Sequence, residues 1–131
     1  MPRDLYRRGM ARWTGNRAHR RLVVWQRAME LAMEVRRLAR RLPPGERSEL
    51  ASQMRRAACS VPANIAEGNG RNYRGDQVRF LAIARGSLME LDTHLEIAER
   101  SGCLTAAELG RAWALLNLVS RLLARLTRAI S

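Results

Sequence analysis

Ser87, Glu90 and His94 are where the sequence comes nearest to a reaction: a hydroxyl, a carboxylate and an imidazole within about 60° of one another on a helical projection. On one face they would be the raw material of acyl transfer. The geometry argues against it, because Ser87 and His94 stand seven residues apart, roughly 10 Å of helix rise. A nucleophile must lie within hydrogen-bond reach of its base and beside an oxyanion hole. The spacing instead predicts a structural polar network, in which Arg55, Arg56 and Asn64 supply the partners that buried polar groups need. Metal chemistry has no better footing. A di-iron bundle asks for paired Glu-x-x-His motifs, whereas Glu90 and His94 are four apart and the only other histidine is His19. Cys59 and Cys103 lack a paired zinc spacing. Gly68-x-Gly70 has no GKS or GKT ending and follows no strand, so it is not a phosphate loop. The sequence therefore predicts no enzyme, no cofactor and no metal.

Its arginines carry a stronger signal. The 131 residues hold 24 Arg, no Lys and 12 acids, a formal charge of +12. That exceeds the charge of about 2–8 usual for a small domain and asks for an anionic partner. Half of it sits in residues 1–21, where Arg3, Arg7, Arg8, Arg12, Arg17, Arg20 and Arg21 face Asp4 alone. A basic arm before a balanced domain is a common build for nucleic-acid binders; a solvated tail is the plain alternative. Arg36, Arg37, Arg40 and Arg41 form two rows spaced by four, suited to a negative helix end or to a basic ledge. The run from Gly68 to Arg74 joins glycines and amides to Arg71, Tyr73 and Arg74, a mixture able to contact phosphate and stack on a base. It is equally an ordinary interhelical turn.

The elements that must position these groups are helical throughout. Apolar stripes at helical spacing predict helices over 22–42, 46–67, 75–101 and 105–129. Pro43-Pro44-Gly45 turns the chain, and Gly68 to Asn72 form a loop. Gly102 is the left-handed cap of the third helix, and Thr105 with Glu108 makes a capping box for the fourth. Pro62 removes one backbone hydrogen bond and predicts a kink in the second helix. Short connections between helices of similar length favour antiparallel neighbours. The fold expected is all-α, an up-down-up-down four-helix bundle over residues 22–131 behind a basic arm at 1–21. Apolar residues on the third and fourth helices (Phe80, Ile83, Ile97, Leu115, Leu118 and Leu122 among them), with Trp25 and Met29, spread wider than an isolated bundle needs. They predict a second apolar surface for subunit contacts. No run of 18 apolar residues exists, which points to a cytoplasmic protein without a membrane span.

The stretch from Gln53 through Ala57-Ala58-Cys59-Ser60-Val61-Pro62-Ala63-Asn64-Ile65-Ala66-Glu67-Gly68, then Gly70-Arg71, is distinctive. With Val24-Trp25-Gln26-Arg27-Ala28-Met29-Glu30-Leu31 and the run from Phe80 to Leu91, it resembles the bacterial four helix bundle protein family. Members are also called intervening-sequence proteins of the large-subunit ribosomal RNA, and are related to the accessory variability determinant of diversity-generating retroelements. The resemblance covers about residues 22–130. It implies an antiparallel four-helix bundle assembled as a homopentamer. For the accessory determinant it implies a basic surface that binds RNA or DNA beside a reverse transcriptase, with no catalysis of its own. Together with the charge, this predicts a non-enzymatic nucleic-acid-binding accessory protein. The competing reading is a helical scaffold whose basicity suits an acidic protein partner. A steep salt dependence separates the two.

Overall fold

The computed structural model describes residues 15–45 and 49–131. Among them there are four long helices and no strand: α1 (Val23–Ala39), α2 (Leu50–Asn69), α3 (Arg74–Arg100) and α4 (Ala106–Ile130). Each helix packs on the two that neighbour it around a ring, α1 on α2 and α4, and α3 on α2 and α4, with no diagonal contact. That is the expected up-down-up-down bundle. Its centre is a continuous core in which Leu31, Leu38, Met54, Ile65, Leu91, Leu95 and Leu109 are sealed from solvent.

The helix ends follow local chemistry. Gly102 adopts φ +80°. The Cys103 and Gly102 N–H groups return to the carbonyls of Ala98 and Glu99 at 2.9 and 3.0 Å, a Schellman motif that satisfies the end of α3. At the start of α4, Thr105 Oγ1 accepts from the Glu108 N–H at 3.1 Å, and Glu108 Oε1 accepts from the Thr105 N–H at 3.0 Å. This is the expected capping box. The first helix stops earlier than its stripe predicts. Beyond Ala39 the Arg41 N–H turns back to the Leu38 carbonyl, which swings Leu42 into the core.

One expectation needs correction. Gly68 and Asn69 are not loop: α2, which holds Pro62 inside it, continues through them. The reason lies in α3. A Cβ on Gly68 would stand 3.1 Å from the Gln77 carbonyl oxygen and 3.2 Å from the Phe80 Cβ, so the glycine lets two helices touch rather than letting the chain turn. Ahead of α1, Ala18–Arg21 form a short 3-10 helix packed against both α1 and α2. The wide apolar arc divides. Leu115 is buried, while Trp25 and Leu122 pack half-buried on the core. Val23, Met29, Met33, Ile83, Met89 and Ile97 stay exposed. No helix among the described residues is long and apolar enough to cross a membrane.

Candidate nucleic-acid interface

Antiparallel packing redistributes the charge in a way that the linear sequence hides. The first half of α1, the second half of α2, the first half of α3 and the second half of α4 share one end of the bundle. With residues 15–22 and the α2–α3 loop, that end holds eleven arginines against Glu30, Glu67 and Asp76. The other end holds eight arginines against seven carboxylates. The described residues thus form a bundle with a basic end and a balanced end.

At the balanced end several arginines are tied down. Glu34 is only 7% exposed, and it takes Arg37 from its own helix and Arg111 from α4. Its hydrogen bond raises the Arg37 pKa. Arg41 reaches Glu108 at 3.0 Å. The Glu108 carboxyl is held below its ordinary range, first by the Thr105 N–H and also by Arg41 and Arg37. The ledge expected from Arg36, Arg37, Arg40 and Arg41 is therefore partly neutralised by α4, a helix about seventy residues later in the chain. Arg36 stays exposed on α1 and rims a shallow groove.

At the basic end the arrangement is different. Arg20 lies over the Trp25 ring at 5.4 Å, and His19 meets the same ring edge-on at 5.2 Å. Burial, then Arg20 and Arg17, lower the His19 pKa. Arg17 and Arg21 flank them on the 3-10 turn. Arg71 and Arg79 lie over Phe80 at 4.6 and 4.5 Å, contacts that orient guanidinium groups over an aromatic ring. Arg71 also pairs with Glu67 at 2.6 Å. Tyr73 is 75% exposed, and Arg74 is exposed at the start of α3. Arg3, Arg7, Arg8 and Arg12 lie outside the described residues.

Sequence reasoning missed Arg79, Arg85, Arg121, Arg125 and Arg128. The last three follow at i, i+4 and i+7 on α4, and no carboxylate occurs on that helix beyond Glu108. Like charges spaced by four repel by a few tenths of a kcal/mol, so the row is unfavourable until an anion meets it. Tallying charge by half-helix, with the chain reversed at each turn, would have found them.

Residues 20–125 match the profile of the family described as 23S rRNA-intervening sequence protein. The match spans most of the chain and enters all four helices. The chain belongs to that family. This intervening-sequence protein also resembles, at a TM-score of 0.75 and 24% sequence identity, the 1.70 Å crystal structure of a protein of unknown function from the S23 ribosomal protein family of Bacteroides thetaiotaomicron. The likeness covers 80% of this chain and 98% of that one, and it supports the fold. No curated protein matches the sequence.

The polar residues singled out in this intervening-sequence protein are only partly brought together. Buried Ser87 donates to Ser60 Oγ at 2.7 Å, and Asn64 Nδ2 donates to Ser60 Oγ at 2.9 Å and to the Ser60 carbonyl at 2.8 Å. Ser60, which sequence reasoning missed, is thus the hub that joins α2 to α3. Glu90 is exposed, and neither it nor Arg55 or Arg56 hydrogen-bonds to the Ser60–Asn64–Ser87 cluster. His94 Nδ1 is buried without a hydrogen-bond partner. Among the described residues no three His, Cys, Asp or Glu side chains gather as metal ligands.

Proposed function

We propose that this intervening-sequence protein is a non-enzymatic RNA-binding protein whose basic end takes the phosphate backbone with little sequence specificity. The observation that carries this is the charge asymmetry among the described residues, eleven arginines against three carboxylates at one end, with no described acid paired to the α4 row. A one-sided positive field concentrates a polyanion and speeds its capture. The family description names ribosomal RNA, which favours RNA over DNA as that polyanion. Arg17, Arg20, Arg21, Arg71 and Arg74 contribute, joined by the α4 row. The chain preceding Gly15 adds Arg3, Arg7, Arg8 and Arg12. The ledge at Arg36, Arg37, Arg40 and Arg41 takes the secondary part, because Glu34 and Glu108 already occupy two of its members.

The protein acts as a closed homo-oligomer in this reading, a pentamer by the resemblance noted above. Support comes from Met29, Met33 and Val23, which stay exposed on α1 beside the apolar groove that Cys59, Pro62 and Ala63 of α2 complete. A ring would sum the basic ends and raise affinity by avidity. An accessory role beside a reverse transcriptase belongs to the same resemblance, and co-purification with such an enzyme encoded nearby tests it. Light scattering that returned a 14.9 kDa particle at micromolar concentration would remove the oligomer.

The deciding experiment is a titration of labelled single-stranded RNA, with DNA of the same sequence as competitor, over a series of salt concentrations. With about six phosphates neutralised, the log–log slope is expected near −4 for a single strand. Weak, salt-insensitive binding would reject this reading and favour a scaffold for an acidic protein partner.

A further inference from the structure

Between the first half of α3 and the second half of α4 the bundle leaves a cleft of about 340 Å³, lined by Arg85, Leu88, Ser120, Leu123, Ala124, Thr127 and Arg128. We propose that this cleft is a dedicated phosphate-gripping subsite, in which Arg85 and Arg128 close on one backbone phosphate of a bound RNA strand from opposite helices. The inference rests on the reading of the basic end as the RNA surface, and it adds a defined seat to what is otherwise a diffuse field.

Three features support it. First, the two arginines come from different helices and line the same cavity, and among the described residues neither has a carboxylate within ion-pair reach, unlike Arg37, Arg41, Arg71 or Arg79. Converging arginines are the side chains best matched to phosphate, because each presents a planar fork of donors. Second, the lining contains no acid. Its remaining polar groups are the hydroxyls of Ser120 and Thr127. Thr127 Oγ1 donates to the Leu123 carbonyl at 2.9 Å, which leaves its oxygen lone pairs free to accept from a ribose hydroxyl. Third, Leu88, Leu123 and Ala124 give the cleft an apolar floor, and its size lies within the range of small-molecule pockets. A nucleotide therefore has a charged rim for its phosphate and a dry surface for its sugar or base. The row of Arg121, Arg125 and Arg128 leads along α4 to the same opening, so a strand following the row passes over the cleft.

The test uses the full chain and labelled single-stranded RNA, titrated over a salt series. The double variant Arg85→Gln/Arg128→Gln removes the grip. Arg55→Gln/Arg56→Gln removes the same charge from the balanced end. Ala124→Leu fills the cleft at an exposed helix position without changing charge. The first is expected to flatten the log–log slope by about 0.7, the contribution of one single-strand phosphate contact. The second should leave the slope where it was, and the third should weaken binding several-fold while thermal unfolding stays unchanged. Equal effects of the two arginine pairs, or full affinity in Ala124→Leu, would overturn the cleft while the intact chain still shows its steep slope. A flat slope in the intact chain would instead overturn the RNA reading itself, and the cleft with it.

Discussion

At the balanced end, Glu34 is almost buried and gathers Arg37 from its own helix and Arg111 from α4. At the basic end, Arg121, Arg125 and Arg128 follow one another along α4 with no carboxylate beyond Glu108 on that helix to meet them. The first arrangement satisfies charge internally and serves packing. A nearly buried carboxylate is costly unless paired, and two arginines meet that need. The second leaves repulsion standing in the free protein and is relieved only from outside. Arginine content alone does not distinguish a solvated surface from a binding surface. The local presence or absence of partners does.

The comparison presumes that both ends belong to one cooperative unit, and truncating the shared core is the strongest way to break it. Leu91 is fully buried near the middle of α3. Leu91→Ala should cost about 2–5 kcal/mol, and hydrogen exchange should accelerate equally in the first turns of α1 and of α4. Acceleration at one end alone would show that the ends unfold separately. Next in size, Arg121→Gln/Arg125→Gln/Arg128→Gln should flatten the single-strand RNA salt slope by about 2. It should also hold or raise the melting temperature, because like-charge repulsion is removed.

A third measurement addresses the balanced end. Thr105→Ala removes the side-chain half of the capping box and should cost about 1 kcal/mol, read by chemical denaturation, with RNA binding unchanged. Because the Glu108 pKa is lowered on folding, its contribution is present above the unfolded carboxylate pKa. It is lost as pH falls through the lowered value, so Glu108→Gln should flatten the acid limb of the stability curve. The smallest effect belongs to His19. Its pKa is lowered below the usual 6.5 by burial, Arg20 and Arg17. It is therefore neutral at pH 7 and gains charge only on acidification. RNA binding should steepen by about 0.7 in slope as pH falls through the lowered His19 pKa, and His19→Gln should abolish that increment. Without RNA the same protonation is resisted by the fold, so stability should decline over that interval.

Much of the fold was legible from residues 22–131, since helical stripes, Gly102 and the Thr105–Glu108 pair act through neighbours within a few positions. Gly68 was misread because its role is set by Phe80 and Gln77 on another helix. A glycine chosen for close approach looks, in one dimension, like a glycine chosen for a turn. The proposed binding surface was harder to read for the same reason. Residues 80–104 carry a net charge of −2 and residues 105–131 carry +3, figures that mask an acidic and a basic half within α3 and a basic second half of α4. Arg36 to Arg41 looked free because Glu108 and Arg111 are distant in sequence. Ser60 escaped notice because nothing local marks a serine as a hub.

An even number of helices running alternately up and down brings both ends of the described chain to the same place, with Gly15 and Ser131 at the basic end. An affinity tag, fluorophore or surface tether attached at Ser131 will therefore stand over the positive face, where it can shield or mimic a ligand. The turns at Pro43-Pro44-Gly45 and Ser101-Gly102 project from the other end. They are the sites at which a reporter or an immobilising group should be placed if the basic face is to be measured as it is.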